Sequence, residues 1–254
     1  MGSEMCIRDR YEEFEKIIQI VVAKGLKKRY NYNWIKFEFY INNNTESGGL
    51  QMSNSAKLSA RERIESLVDA NSFVEIGGMI TKRNTDFNMQ EKAVPADGVI
   101  TGYGVVNSNL VYIYSQDVTA LNGSVGEMHA KKIAGIYEMA MKAGAPVIGL
   151  IDCAGIRVQE AMDALAGFGD IYMAKVNASG VIPQISAVLG SCGGGVAISS
   201  KLGDITIIEK TNGKLFVNSP NAIAGNRIEK CDTSDAAFQA ECGNADIVCE
   251  NEQE

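Results

Sequence analysis

The chain holds one histidine, one tryptophan and four prolines among its 254 residues, and these scarcities exclude several chemistries. His129 lies mid-helix in GEMHAKKI with no partner to orient it, so a Ser–His–Asp hydrolase is not supported and a packing or helix-surface role is. The run GSCGGG at Gly190–Gly195 lacks the GxSxG nucleophile elbow. The six cysteines, Cys6, Cys153, Cys192, Cys231, Cys242 and Cys249, contain no CxxC pair, so no metal is expected. Reduced thiols in a cytoplasmic protein are the simplest account in a chain long enough to bury a core. No apolar run reaches the length of a membrane span, and Ile17–Ala23 is too short. A usable GxGxxG and the Walker lysine are both missing. The formal charge of −7, with no dense basic cluster beyond Lys27-Lys28-Arg29, argues against a nucleic-acid surface.

What is present centres on Val181–Ser199, VIPQISAVLGSCGGGVAIS. Gln184–Leu189 is apolar on both faces, as in a strand covered on both sides. Gly190, Gly193, Gly194 and Gly195 then open a small-residue helix, Gly194–Leu202. Glycines there let backbone N–H groups approach a ligand without a Cβ in the way. First-turn N–H groups lack intrahelical acceptors and sit at the positive end of the helix dipole. The turn therefore suits an anionic oxygen, or else only close helix–strand packing. Cys192 reads as a small buried filler, since no base accompanies it. Asp152, Arg157 and Glu160 surround another strand end, where they either bind a ligand or pair with one another.

Residues 1–51 differ in character from the rest of the chain. They are rich in Asn, Lys and Tyr, and MCIRDR at Met5–Arg10 resembles a translated sequencing adapter. Met52 is then the natural start and 1–51 a non-native extension; an ordinary extension with a helix at Tyr11–Lys27 is the other reading. From Ser59 the signals become orderly. Ser59-Ala60-Arg61-Glu62 fits a capping box for a helix Ala60–Val68. A short strand at Phe73–Ile76 and an irregular polar run to Pro95 come next. Gly98–Val106 and Leu110–Ser115 form a hairpin across Asn107-Ser108-Asn109. Helix Ser124–Ala143, strand Val147–Ile151, helix Val158–Ala178, strand Gln184–Leu189, helix Gly194–Leu202 and strands Ile205–Ile208 and Leu215–Val217 complete the alternation. Such a series predicts an α/β protein built mainly from parallel units. The segment after Ile223 is weakly patterned, stops without a closing element and is expected to be truncated.

The blocks SARERIESLVDANSFVEIG, ADGVITGYG, GSVGEMHAKKIAGIYEMAMKAGAPVIGLIDCAGIRVQEAMDALAGFGDI, NASGVIPQISAVLGSCGGG and FVNSPNAI carry a likeness. In their order and spacing, residues 59–223 resemble the amino-terminal, crotonase-like domain of the biotin-dependent acyl-CoA carboxyltransferases. The resemblance implies a spiral of ββα units, the amino-terminal half only, over residues 52–254. It implies transfer of a carboxyl group between carboxybiotin and the α-carbon of a short acyl-CoA. By position, the backbone N–H groups of Gly194 and Gly195 would hold the enolate oxygen, and Ala154, Gly155, Arg157 and Gly193 would bind the acyl-CoA. Asp152–Glu160 resembles the family's DSGGAR-QE loop, with Cys153 and Ala154 in place of Ser and Gly and Ile156 in place of Ala, which bears on acyl preference. The implied partners are acyl-CoA, a biotin carboxyl carrier protein, a carboxyl-terminal carboxyltransferase domain or subunit, and other copies in a homo-oligomer. The same half serves a decarboxylase run in the opposite direction. A crotonase-type hydratase or hydrolase, which would need Glu160 or Asp163 over the acyl pocket, and a coenzyme A-binding fragment without turnover are the other readings.

Overall fold

The computed structural model describes residues 57–83, 94–229 and 231–254. The expectations for residues 1–51, and for the part of the polar run at 84–93, lie outside them. The first helix, α1 (Ala60–Leu67), starts from the capping box: Glu62 N–H donates to Ser59 Oγ at 3.3 Å and Ser59 N–H to Glu62 Oε2 at 2.8 Å. Its Ile64 is fully buried, and the helix packs on the hairpin at residues 99–116.

That hairpin is β2 (Val99–Val106) and β3 (Asn109–Gln116), with β1 (Val74–Ile76) antiparallel on the outer side of β2. The turn has two residues rather than the three expected. Asn107 and Ser108 both take positive φ, 46° and 69°, the combination that matches a tight turn to the strand twist. From β3 onward the pairing is parallel, through β4 (Val147–Cys153), β5 (Gln184–Gly193), β6 (Ile205–Glu209) and β8 (Ile247–Cys249). A short β7 (Lys214–Phe216) pairs with the far end of β5. The crossovers β3–β4 and β4–β5 carry α2 (Glu127–Ala143) and α3 (Ala161–Ala178).

These two long helices pack on each other and on one face of the sheet. Ile133, Ile136, Tyr137 and Ala140 of α2 and Phe168, Ile171, Ala174 and Ala178 of α3 share a core with Val147, Ile151, Val188 and Ile208. Gly144 closes α2 at φ 66°, the left-handed stop that its place before Pro146 predicts. The expected helix from Val158 divides into a 3-10 turn, Val158–Glu160, and α3 proper, because Ala161 turns to φ 44° between them. After Ile223 the weak pattern conceals real elements: helices α5 (Ala224–Glu229) and α6 (Ala236–Glu241), and β8 on the edge of the sheet beside β6. No helix among the described residues is long and apolar enough to cross a membrane.

Candidate active site

β4 and β5 are parallel neighbours, so the loop after each emerges at the same edge of the sheet. The pairing runs on to Cys153 opposite Cys192, past a bulge after Ile151. β5 is longer than its sequence suggests. Ser191, Cys192 and Gly193 continue it by pairing with Lys214, Leu215 and Phe216 of β7. The turn proper is thus a single residue, Gly194 at φ 60°, ψ −126°, followed by α4 (Gly195–Lys201).

The glycines around this turn each answer a measurable crowding. A Cβ at Gly190 would fall 2.1 Å from a carboxylate oxygen of Asp152. One at Gly193 would fall 2.9 Å from the Ala154 carbonyl, and one at Gly195 would meet the Tyr172 hydroxyl at 2.8 Å. A Cβ at Gly155, where φ is 124°, would fall 3.4 Å from the Gly193 carbonyl oxygen. The two loops are therefore in backbone contact. Gly194 differs, for a Cβ there would meet nothing within 4 Å. Among the described residues nothing occupies that space.

Among the described residues no acceptor lies on the Gly195 N–H, while its carbonyl is held by the Tyr172 hydroxyl at 2.8 Å. The Gly194 N–H donates to the Phe216 carbonyl at 2.9 Å, as the last rung between β5 and β7. In this arrangement Gly195 presents an open donor and Gly194 a committed one.

The loop 154–157 is fixed from below. Ala154 N–H donates to Asn122 O (3.1 Å), Val125 N–H to Gly155 O (2.9 Å) and Arg157 N–H to Val125 O (2.9 Å). Ala154, Ile156 and Val158 face outward, and Gly155, Arg157 and Glu160 are buried. The Arg157 guanidinium lies fully inside the protein. It pairs with Asp97, with Glu160 at 2.9 Å, and donates to the Ser124 carbonyl at 2.8 Å. Its side chain is a foundation under the loop and is not exposed at the surface. Of the three charged residues that the sequence groups here, Arg157 and Glu160 pair with one another, in the interior, and Asp152 does not join them. Asp152 is also buried, with Arg63 of α1 at 3.1 Å, and its other oxygen accepts from Ser191 N–H at 3.3 Å.

Asp97 and Arg63 went unseen in the sequence, because their partners lie 60 and 89 residues away. His129 belongs to the same buried layer. Its Nδ1–H donates to the Asp97 carbonyl at 2.9 Å and its Nε2 accepts from Gln116 at 3.1 Å. Burial, then the nearby Arg157 charge, lower its pKa to about 3, so the ring is neutral and structural. Burial pushes the Cys192 thiol up to about 12, and its Sγ rests 3.3 Å from Ser200 Oγ, as suits a core filler. Glu160 is turned inward and Asp163 pairs with Arg83, so neither carboxylate stands over the glycine turn. Among the described residues no group of three or more His, Cys, Asp or Glu could hold a metal ion.

A layered α/β spiral with two small-residue loops meeting at one sheet edge, and a backbone donor open between them, defines a protein of the crotonase-like fold. Residues 51–253 match the family model described as a carboxyl transferase domain, and the chain belongs to that family. It is 43% identical over 202 residues to the methylmalonyl-CoA decarboxylase subunit alpha of Veillonella parvula, covering 78% of this chain and 40% of that protein. It is 47% identical over 167 residues to the propionyl-CoA carboxylase beta chain of Roseobacter denitrificans, covering 66% of this chain and 33% of that one. Among solved structures, transcarboxylase 12S with hydrolysed methylmalonyl-coenzyme A bound superposes with a TM-score of 0.73 at 36% identity, over 78% of this chain and 39% of that one. The chain thus spans between a third and two fifths of the length of these relatives.

Proposed function

We propose that this chain is the acyl-CoA half of a biotin-dependent carboxyltransferase. Carboxyl transfer removes a proton from the α-carbon of a short acyl-CoA, and the ureido group of biotin takes that proton. The thioester oxygen gains the negative charge, and the enolate carbon then bonds to the carboxyl carbon released from carboxybiotin. What supports this role is the Gly194–Gly195 turn, where the Gly195 N–H has no acceptor among the described residues and a Cβ on Gly194 would meet none of their atoms within 4 Å. Donors aligned in advance on a developing oxyanion accelerate such reactions by about 10²–10³-fold each. Gly195 serves as it stands. Gly194 serves as the second donor once its N–H leaves the Phe216 carbonyl, a movement of β7 against the end of β5. Ala154, Gly155 and Gly193 shape the surface on which the thioester lies, and Arg157 acts by holding that loop from beneath.

The relatives include both carboxylase and decarboxylase subunits, and one half of the site serves either direction. A biotin carboxyl carrier protein and a second carboxyltransferase domain complete the reaction in this reading, which places it in the cytoplasm with its thiols reduced. The hydratase alternative loses its support, because Glu160 and Asp163 are committed elsewhere. Calorimetric titration with methylmalonyl-CoA and malonyl-CoA, followed by transfer to free biotin, tests the proposal. Saturable binding is expected; absence of binding to either thioester would overturn it.

A further inference from the structure

Two cysteines stand side by side where the strands beneath the candidate site end. The pairing of β4 with β5 matches Ile151 to Val188 and then Cys153 to Cys192, so β5 advances four residues while β4 advances two. The bulge leaves both cysteines on the face covered by α2 and α3, in the same core cluster as Ile151 and Val188. Neighbouring strands lie about 4.8 Å apart, inside the roughly 4.4–6.8 Å that the Cα atoms of a disulfide span. Both thiols are free and fully buried. Their closeness also shows in a shared neighbour: after burial, the Cys192 sulfur and then that of Cys153 push the Tyr114 hydroxyl up.

The present contacts of the two sulfurs differ in what depends on them. Cys153 Sγ accepts from Gly155 N–H at 3.3 Å, and its thiol donates to the Gly155 carbonyl at 3.5 Å. Cys192 Sγ lies 3.3 Å from Ser200 Oγ, which also donates to the Val196 carbonyl at 2.9 Å. Turning each sulfur toward the other gives up both sets of contacts. Ser200 keeps its carbonyl acceptor, and the Gly155 carbonyl keeps Val125 N–H at 2.9 Å. The Gly155 N–H, however, loses the sulfur that accepts from it. The cost therefore falls on the loop 154–157. The family's loop commonly carries Ser at the place of Cys153, so the pair belongs to this chain and not to the motif.

We propose that Cys153 and Cys192 close to a disulfide when a peroxide reaches them, and that the bond loosens the loop 154–157 and lowers acyl-CoA affinity. The bond rests on the strand register; its effect on acyl-CoA rests on the proposed function. One sulfur attacks the peroxide and breaks its O–O bond, becoming a sulfenic acid as one water leaves. The second sulfur displaces the sulfenic oxygen as another water. The two thiols thus lose two electrons and two protons, and the peroxide is reduced to two waters. Burial pushes both thiols up to about 12, which keeps thiolate scarce. The reaction therefore waits on local opening at the strand ends and is slower than that of an exposed thiol.

In the full chain with Cys6, Cys231, Cys242 and Cys249 changed to serine, only this pair remains. Overnight exposure to hydrogen peroxide should lower the mass of the monomer by about 2 Da, and dithiothreitol should restore it. The Gly155 amide, followed by NMR, should exchange about fivefold faster in the oxidised chain, as one hydrogen bond is lost. Methylmalonyl-CoA should bind that form about fivefold more weakly. Cys192→Ser in the same background, treated alike, should show neither the loss of mass nor the faster exchange. An unchanged mass, cross-linking only between chains, equal Gly155 exchange or equal affinity in the two forms, or the same acceleration in Cys192→Ser would each overturn the switch. If the reduced chain binds no acyl-CoA, the proposed function fails, and the mass and the exchange rate still decide the disulfide.

Discussion

Replacing Gly194 by valine separates the backbone's demand for glycine from the site's. At φ 60°, ψ −126° the residue occupies a region that only glycine enters freely, and forcing an L-residue there costs about 1–3 kcal/mol. No neighbouring atom adds to that cost, since the new Cβ points into open space. Set against a typical stability of about 5–15 kcal/mol, the variant remains folded. Its melting temperature should fall by about 2–12 °C, given about 2–4 °C per kcal/mol at this size. On the proposed function, the valine methyls would crowd the space beside the Gly195 N–H that the reading gives to the thioester oxygen. Acyl-CoA binding should weaken about tenfold or more, equivalent to about 1.4 kcal/mol, and carboxyl transfer should fall by about 10²–10³-fold. Gly180→Val is the matched control. Gly180 also has positive φ, 72°, and open surroundings, but it lies beyond the far end of α3, about 27 Å along that helix from the loop. It should lose stability and keep full acyl-CoA affinity. Calorimetric titration and thermal melts of both variants check this. Undiminished binding by Gly194→Val, or an equal loss in Gly180→Val, would refute the reasoning.

Three further outcomes rest on the buried charges. His129 has its folded pKa depressed to about 3 from an ordinary 6.5, so the unfolded chain binds more protons between those values. The stability His129 contributes is complete above about pH 6.5 and is lost as pH falls toward 3; urea unfolding at pH 7, 5 and 4 should show a decline that His129→Gln flattens. Lys175 is fully buried with its Nζ 3.0 Å from the Tyr137 hydroxyl, and burial lowers its pKa to about 8. No acidic side chain pairs with it among the described residues, so Lys175→Met should stabilise the protein at pH 7 by roughly 1–3 kcal/mol in chemical denaturation. Glu160→Gln removes one charge from the Arg157 cluster and should cost roughly 3 kcal/mol, seen as a melting temperature about 6–12 °C lower, while acyl-CoA affinity per folded molecule stays within about twofold.

The alternation of strands and helices was readable because Val147–Ile151 and Gln184–Leu189 are apolar throughout and the two long helices repeat their apolar residues at helical spacing. Capping at Ser59 and the stop at Gly144 are local signals, and local structure obeyed them. What escaped depended on distant partners. Nothing near Ser191 shows that β5 continues to Gly193, because the pairing strand lies at Lys214–Phe216. The spacing of Arg157 and Glu160 suggested an ion pair but not its burial, which is set by Asp97 on a turn whose Ala96 and Asp97 both adopt positive φ. The elements after Ile223 are six, six and three residues long, too short for periodicity to register.

Two helix N-termini, those of α2 and α4, lie close to the loop 154–160, and the difference between them decides where an anionic oxygen can go. At α2 two of the first-turn donors are already taken by carboxylates. Glu127 N–H donates to Glu160 Oε2 at 2.7 Å and His129 N–H to Asp97 Oδ2 at 2.7 Å. Those two carboxylates share the single guanidinium of Arg157, and the excess negative charge is offset by the positive end of α2. The protein's own anions therefore fill that terminus, and Gly126 leaves room for them, since a Cβ there would fall 2.5 Å from Arg157 and 2.6 Å from Glu160. At α4, among the described residues, no carboxylate caps the first turn and no atom lies within 4 Å of where a Cβ on Gly194 would be. The charged residues that the spacing of Asp152–Glu160 brought to notice thus neutralise one helix end and anchor the loop, and the proposed function assigns the new negative charge to the uncharged glycines at the other.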